Sequence, residues 1–369
     1  MITPRPSTTP MTGLRPADLE LSRRSLLKYF GVGAAALGAA PLLGACGDGG
    51  GAGGASKFTV ASFPGDNYLL DAVNVENEDF AKHDLDVPKL VAPQSGVQAM
   101  QLVVAGAVNG YASDTLLQMA TYANGTEGKR PVIVGVRTPS TTYGIVAGKG
   151  DWPSPDAGFE EKMQSLKGKR VGVAAVGAGG DLQLRLALEL AGMAYDDVTH
   201  LATGPSASAA PNLTGGRIDA YVTVQWTSTR FVAESANSPV LLDFSDPTVP
   251  ETLRNQAVCI VAVREDMVEK QPEVVQNWLA AQWDAHEWML ANKEAAADLL
   301  NRTGLGGKAP DIATNYIDHY VADVAPSIKP MFKVPKQTIE QMAELALRFG
   351  NIKEGDISFE KIVPDFARA

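Results

Sequence analysis

Hydroxyls, glycines and aromatic rings recur where short apolar runs of this chain end. Ser62-Phe63-Pro64 closes one run, and Ser95-Gly96 follows another. Ser113-Asp114-Thr115, Thr138, the loop Gly177-Ala178-Gly179-Gly180-Asp181 and Gln225-Trp226 close others. Serine and threonine hydroxyls donate to carboxylate or sulfonate oxygens, and Phe63 and Trp226 offer apolar walls. Glycines Gly177, Gly179 and Gly180 admit positive φ and close approach of a ligand to the backbone. Singly, each Ser or Thr reads as a helix cap. Their repetition at successive run ends is the pattern of a ligand pocket. Arg137 suits either an anionic ligand or a surface ion pair.

Other chemistries find less support. The four histidines, His83, His200, His286 and His319, lack metal-ligand spacing, and neither a G-x-S-x-G elbow nor H-E-x-x-H occurs. The expectation is therefore no catalytic residue, no metal and no cofactor, in a protein that is not an enzyme. Cys259, within A-V-C-I-V-A-V, reads as a buried apolar residue rather than a nucleophile.

The elements that would hold these residues are strands and helices in alternation. Val171 to Ala175 is a β-branched run suited to a buried parallel strand. The glycine loop follows, with Asp181 as a candidate N-cap, then Leu182, Leu186 and Leu190 as one buried helical face, then Gly192 as a stop. The dinucleotide fingerprint needs a third glycine where Leu182 stands, and no Gly-Lys-Ser/Thr is present, so nucleotide binding is disfavoured. Unpaired amides at a helix N-terminus suit a small anion instead. Upstream, a strand is expected at 57–63, a helix at 66–82 and a strand at 87–92. A helix with Val97, Met100 and Val104 inward comes next, then strands at 110–113, 131–136 and 143–147. Such sheets carry their ligand crevice outside the carboxyl ends of the strands.

Leu166-Lys167-Gly168-Lys169-Arg170-Val171-Gly172-Val173 with Gly216-Arg217-Ile218-Asp219-Ala220 resembles the second domain of the binding proteins of nitrate, sulfonate and taurine importers, a family called NMT1-like. The resemblance runs from about Lys57 onward. It implies an α/β chain with the two-lobed, type II periplasmic-binding-protein fold: two mixed sheets, a hinge and a cleft. It also implies a small anionic or aromatic ligand and an ABC permease with a cytoplasmic ATPase as partners. The family's Gly-x-Ile/Val-Asp element corresponds in the first lobe to Gly106 to Gly110, where Asn109 replaces the aspartate. Trp226 falls where relatives carry a residue near the ligand. The family loop often holds serines, whereas Gly177 to Gly180 offers backbone amides alone. Alternatives are an enzyme of the related thiamine-precursor pyrimidine synthesis and a ligand-sensing receptor component.

Two lobes also suit a chain of 369 residues. The net charge of −10 disfavours nucleic acid as a partner. Ser22-Arg23-Arg24-Ser25-Leu26-Leu27-Lys28 matches a twin-arginine export signal, and Leu43-Gly44-Ala45-Cys46 has the form of a lipoprotein cleavage box. The expected organisation is a signal at 1–45, lipidation of Cys46 and a Gly/Ala/Ser tether at 46–56. Lobe I is expected at 57–148 and 258–369, and lobe II at 149–257. The expected product is an exported monomer, lipid-anchored to the outer face of the membrane. Trp278, Trp283, Trp288 and His286 on a C-terminal helix read as core packing.

Overall fold

The computed structural model describes residues 55–349 and 352–369. The expectations for the export signal, Cys46 and most of the tether lie outside them. Eleven strands form among the described residues: β1 (Ser56–Lys57), β2 (Val60–Ala61), β3 (Leu85–Asp86), β4 (Gly110–Ser113), β5 (Pro131–Thr138), β6 (Gly144–Ala147), β7 (Arg170–Val173), β8 (Thr199–Ala202), β9 (Ala220–Thr223), β10 (Val240–Asp243) and β11 (Cys259–Arg264). One sheet has the order β2-β4-β11-β5 and a second the order β10-β6-β9-β7-β8, while β1 and β3 form a small parallel pair. Both larger sheets are mixed. β11 runs antiparallel to β4 and β5, and β6 antiparallel to β9 and β10, whereas β2–β4, β7–β8 and β7–β9 are parallel.

Every residue of β5 is buried, as continuous apolar runs covered on both faces require. The first lobe surrounds the four-stranded sheet. Helices Leu69–Glu76, Gly96–Ala105, Thr115–Ala123 and Pro272–Ala291 belong to it. Trp278 is fully buried there, its ring 5.0 Å from that of Phe58. The same ring fills the space left by Gly110, where a Cβ would come within 2.4 Å of it. Trp278 therefore packs into the core, while Trp283 and Trp288 are half-buried.

Several local features depart from the sequence reading. The strand expected at 57–63 is the two short strands β1 and β2, and the one expected at 87–92 is replaced by β3 at Leu85–Asp86 with a single bridge from Val91 to Ala61. Gly144–Ala147 was expected in the first lobe, but β6 sits in the second sheet, with Gly144 opposite Thr223 and Ala147 opposite Ala220. Its four buried residues need a neighbour on each edge, and β9 and β10 supply them. The expected 66–82 helix is a 3-10 turn at Asp66–Tyr68 and two helices, broken where Glu78 takes φ 59°. On Gly96–Ala105 the inward residues are Ala99, Met100 and Val103, so Val97 and Val104 lie at the edge. On Gly179–Leu190 the fully buried residues include Leu184, Leu186, Ala187 and Leu188, with Leu182 and Leu190 half-buried. That helix is covered on a second flank by the C-terminal segment. Arg185 Nη1 donates to the Phe349 carbonyl at 3.2 Å and Arg348 pairs with Glu189 at 2.5 Å.

The chain crosses between the sheets twice, from β5 to β6 and from β10 to β11. The two crossings bond to one another. Thr141 N donates to Arg254 O at 3.1 Å, and Phe244 N to Tyr143 O at 3.0 Å. Paired crossing segments of this kind form a hinge.

Candidate functional site

Three helix N-termini meet across the boundary between the lobes, and a fourth, at Gly96, lies against Tyr111 of the first lobe. Two belong to the first lobe. Ser95 caps Gly96–Ala105 by accepting from Gln98 N at 3.2 Å, and Asp114 caps Thr115–Ala123 by accepting from Leu117 N at 3.1 Å. The other two start helices of the second lobe. Gly179–Leu190 begins after Ala178 with no side-chain cap, and Trp226–Ala236 begins after Gln225. The last is capped across the boundary. Asp66, from the first lobe, accepts from Trp226 N at 3.1 Å and from Thr227 Oγ1 at 2.6 Å.

Further bonds hold the lobes together here. Asn67 Nδ2 donates to Thr142 Oγ1 at 3.2 Å and to Val224 O at 3.0 Å. Gln225 Nε2 donates to Pro64 O at 2.9 Å, and Gln225 Oε1 is buried without a hydrogen-bond partner among the described residues. Tyr143 Oη donates to Asp114 Oδ2 at 2.8 Å. Gly179 lies against this pair so closely that a Cβ would stand 2.3 Å from the Tyr143 hydroxyl and 2.8 Å from Asp114 Cβ. The structure is thus a closed form. Beside it Phe63, Tyr68 and Tyr111 make an aromatic wall. Phe63 is 5.2 Å from Tyr68, and Tyr68 stacks on Tyr111 at 6.4 Å and 11°.

Burial sets the electrostatics. It pushes the Asp66 and Asp114 carboxyls up from the usual range, offset in part by the hydroxyls of Thr227 and Tyr143. It also pushes the phenols of Tyr68, Tyr111 and Tyr143 upward, so all three remain hydrogen-bond donors at neutral pH. Cys259 is buried and its thiol is pushed up to about 12, chiefly by desolvation, which makes it a poor nucleophile.

The sequence-derived candidates separate into groups. Pro64, Asp114, Gly179, Gln225 and Trp226 meet at the boundary, while Phe63 and Gly96 lie against Tyr111 of the first lobe and Gly180 against Val222 and Val224 of the second. The others turn inward. Ser62 Oγ donates to Asp71 at 3.0 Å, Thr115 Oγ1 donates to Ala257 O, and Ser113 Oγ bonds the next carbonyl at 3.2 Å. Thr138 ends β5 opposite Cys259, and Ser95 is occupied as a cap. Gly177 N donates to Asp181 at 2.8 Å, and the Asp181 carboxylate points into the second lobe, so Ala178 rather than Asp181 is the N-cap. Arg137 is neither a surface residue nor free for an anion. It is buried and bidentate on Asp71, at 2.6 and 3.2 Å. Asp66, Asn67, Tyr68, Tyr111, Thr142 and Tyr143 were missed as site residues. Only Asp66 left a trace in the sequence, an acidic residue just ahead of an apolar helical run.

Trp226 closes the rim. Its indole lies between the Arg230 guanidinium, 3.4 Å from the ring centroid, and the His319 ring, 5.2 Å away and inclined by 14°. His319 ends helix Pro310–His319, which shares one buried apolar cluster with Leu69 and Val73 of the first lobe. Opening of the lobes must therefore unstack Trp226. Its emission is expected to shift to the red in the open form and back to the blue on ligand binding, and Trp226→Phe should remove most of that signal. A ligand response that survives intact in Trp226→Phe would place Trp226 away from the moving boundary.

A sequence profile of the NMT1-like family matches residues 62–303. The chain belongs to the NMT1-like family. A relative in Brucella abortus (strain 2308), named as a binding protein, is 27% identical over 237 residues. That match spans 62% of this chain and 66% of the relative. The alkanesulfonate-binding protein SsuA of Xanthomonas axonopodis pv. citri, bound to MOPS, superposes with a TM-score of 0.66 at 15% identity, over 85% of this chain and 99% of that one. The periplasmic nitrate-binding protein NrtA of Synechocystis PCC 6803 gives 0.67 at 15% identity, over 84% and 86%. The desulfurization enzyme DSZB gives 0.53 at 15% identity, over 81% and 93%. This NMT1-like chain thus has the two-lobed fold of the periplasmic binding proteins, a fold that at least one enzyme shares.

Proposed function

We propose that this chain is the solute-binding component of an ABC importer. It captures a small organic anion, of sulfonate or aromatic carboxylate type, between its lobes and presents the closed form to a permease. One observation carries the reading. The N-terminus at Gly179 in one lobe, which has no side-chain cap, meets Asp114 of the other lobe and the Tyr143 hydroxyl of the crossing segment. A ligand held there touches both lobes, which is the condition for ligand binding to favour closure. The kinship with named binding proteins supports the class of function. Lipidation at Cys46 and export by the twin-arginine route complete the proposal and rest on the sequence motifs alone. Among the described residues no helix is long and apolar enough to cross a membrane.

The test is a thermal-shift screen of the ligand-free protein with sulfonates, aromatic carboxylates, nitrate and pyrimidines. A ligand at a hundredfold its Kd adds about 2.7 kcal/mol of stability and raises Tm visibly. Sulfonates or carboxylates alone should give the shift. A shift with pyrimidines alone would replace the anion class with the precursor class. Turnover of a bound compound would move the reading to an enzyme.

A further inference from the structure

Beneath the glycine loop, on the side away from the cleft, lies a buried charged cluster. The side chain of Asp181 is 4% exposed and that of His200 is 8% exposed. Three donors converge on the Asp181 carboxylate. Gly177 N reaches Oδ2 at 2.8 Å, the Tyr195 hydroxyl is 3.0 Å from each oxygen, and His200 Nδ1 is 2.8 Å from Oδ1. The other ring nitrogen of His200, Nε2, stands 2.9 Å from the Tyr195 carbonyl oxygen.

Both partners of the ring, a carboxylate and a carbonyl, are acceptors only. A neutral imidazole has one N–H and one lone pair, so it would satisfy one partner and turn a lone pair on the other. Only the imidazolium donates to both. The Tyr195 ring stacks on His200 with centroids 3.7 Å apart and 23° between planes, which fixes the ring in the orientation that meets both acceptors. The charged groups around the ring are few. Asp181 faces it from the helix, and the Arg185 guanidinium lies 5.8 Å over Tyr195. Asp196 acts on Tyr195 from the adjoining turn.

We propose that His200, as the imidazolium, is the positioning residue and counter-ion of the glycine loop. It anchors Asp181, and Asp181 holds the Gly177 amide and so fixes the turn that starts the Gly179 helix. The charge balance follows from magnitudes. A helix N-terminus offers an anion roughly half a positive charge. An unpaired Asp181 carboxylate within the first turn would outweigh it. Paired with the imidazolium, the cluster is neutral and the helix end remains attractive to an anion. This second part rests on the anion reading of the cleft; the positioning part does not.

The experiment separates the two. In the uniformly 15N-labelled, ligand-free chain, His200 is expected to show two ring N–H signals. In His200→Gln, confirmed folded by its circular dichroism, the Gly177 amide is expected to exchange at least tenfold faster. A single ring N–H in the wild type, or unchanged exchange in folded His200→Gln, overturns the proposal. If His200→Gln fails to fold, the ring spectrum of the wild type alone decides. The counter-ion role is read with ethanesulfonate and benzoate. Affinity should fall at least tenfold in His200→Gln and recover in Asp181→Asn/His200→Gln, whose cluster is again uncharged. Equal loss in single and double variants overturns the counter-ion role. Wild-type protein that binds neither anion, yet shows both ring protons and the exchange effect, sinks the anion reading of the cleft and leaves the loop role standing.

Discussion

Gly179→Val is expected to weaken ligand binding severely while leaving the ligand-free protein folded. The added Cβ would lie 2.8 Å from both Cβ and Cγ of Asp114 and 2.3 Å from the Tyr143 hydroxyl. The tyrosine hydroxyl can swing away. Asp114 Cβ cannot move without carrying the start of the Thr115–Ala123 helix with it, so the lobes must stay apart. Gly179 does not occupy the left-handed region, so an ordinary residue suits the backbone of the open form. Affinity falls in proportion to the fraction of molecules able to close. A loss of about 100-fold, or about 2.7 kcal/mol, is the expected size. Calorimetry measures the affinity, and small-angle scattering should show a molecule that stays open with ligand present. Binding within a few-fold of wild type would remove the glycine loop from the site.

Asp71→Ala is expected to cost about 3–5 kcal/mol of stability, the range for stranding a buried charge. Asp71 is fully buried and Arg137 is 2% exposed. Ser62 Oγ and Gln282 Nε2 complete the carboxylate shell at 3.0 Å each. Removing the acid leaves a guanidinium with neither water nor a counter-charge. Arg170 and Asp219 provide a control. Their contact is also bidentate, at 3.0 and 2.7 Å, yet it is partly exposed, and Arg170→Ala should cost no more than about 1 kcal/mol. Urea unfolding of both variants decides the matter. Replacing both buried partners, as Asp71→Leu/Arg137→Met, should recover much of the loss. A loss below about 1 kcal/mol for Asp71→Ala would mean that water enters the cluster.

Where the sequence reading succeeded and failed has a physical logic. Short-range signals were legible: the glycine turn ahead of the Gly179–Leu190 helix and the buried character of Cys259. Each depends on residues within a few positions of one another. The partners that decide a side chain's role lie far along the chain. Arg137 is committed to Asp71 and Gln282, separated from it by 66 and 145 positions, so no local pattern distinguished an anion site from a buried pair. Asp66 faces the same difficulty, since the helix it caps begins 160 residues later. Hydrophobic spacing located the Gly179–Leu190 helix but not its inward face. A helix covered on two flanks no longer shows a single stripe. Asp181 looked like a cap by position, but a histidine and a tyrosine from the following segments claim its carboxylate.

The cross-lobe cap at Asp66 bears on how the molecule divides between open and closed states before any solute arrives. When the lobes part, the Trp226–Ala236 helix loses its acceptor, and a lost N-cap costs about 1 kcal/mol. That amount favours the closed population about fivefold, with no contribution from ligand. A solute then need not supply all the work of closure, so even a molecule of few atoms can be held firmly. The same bias makes the empty molecule resemble the loaded one part of the time. Any partner that reads shape alone would meet both, and would have to tell them apart by something other than closure.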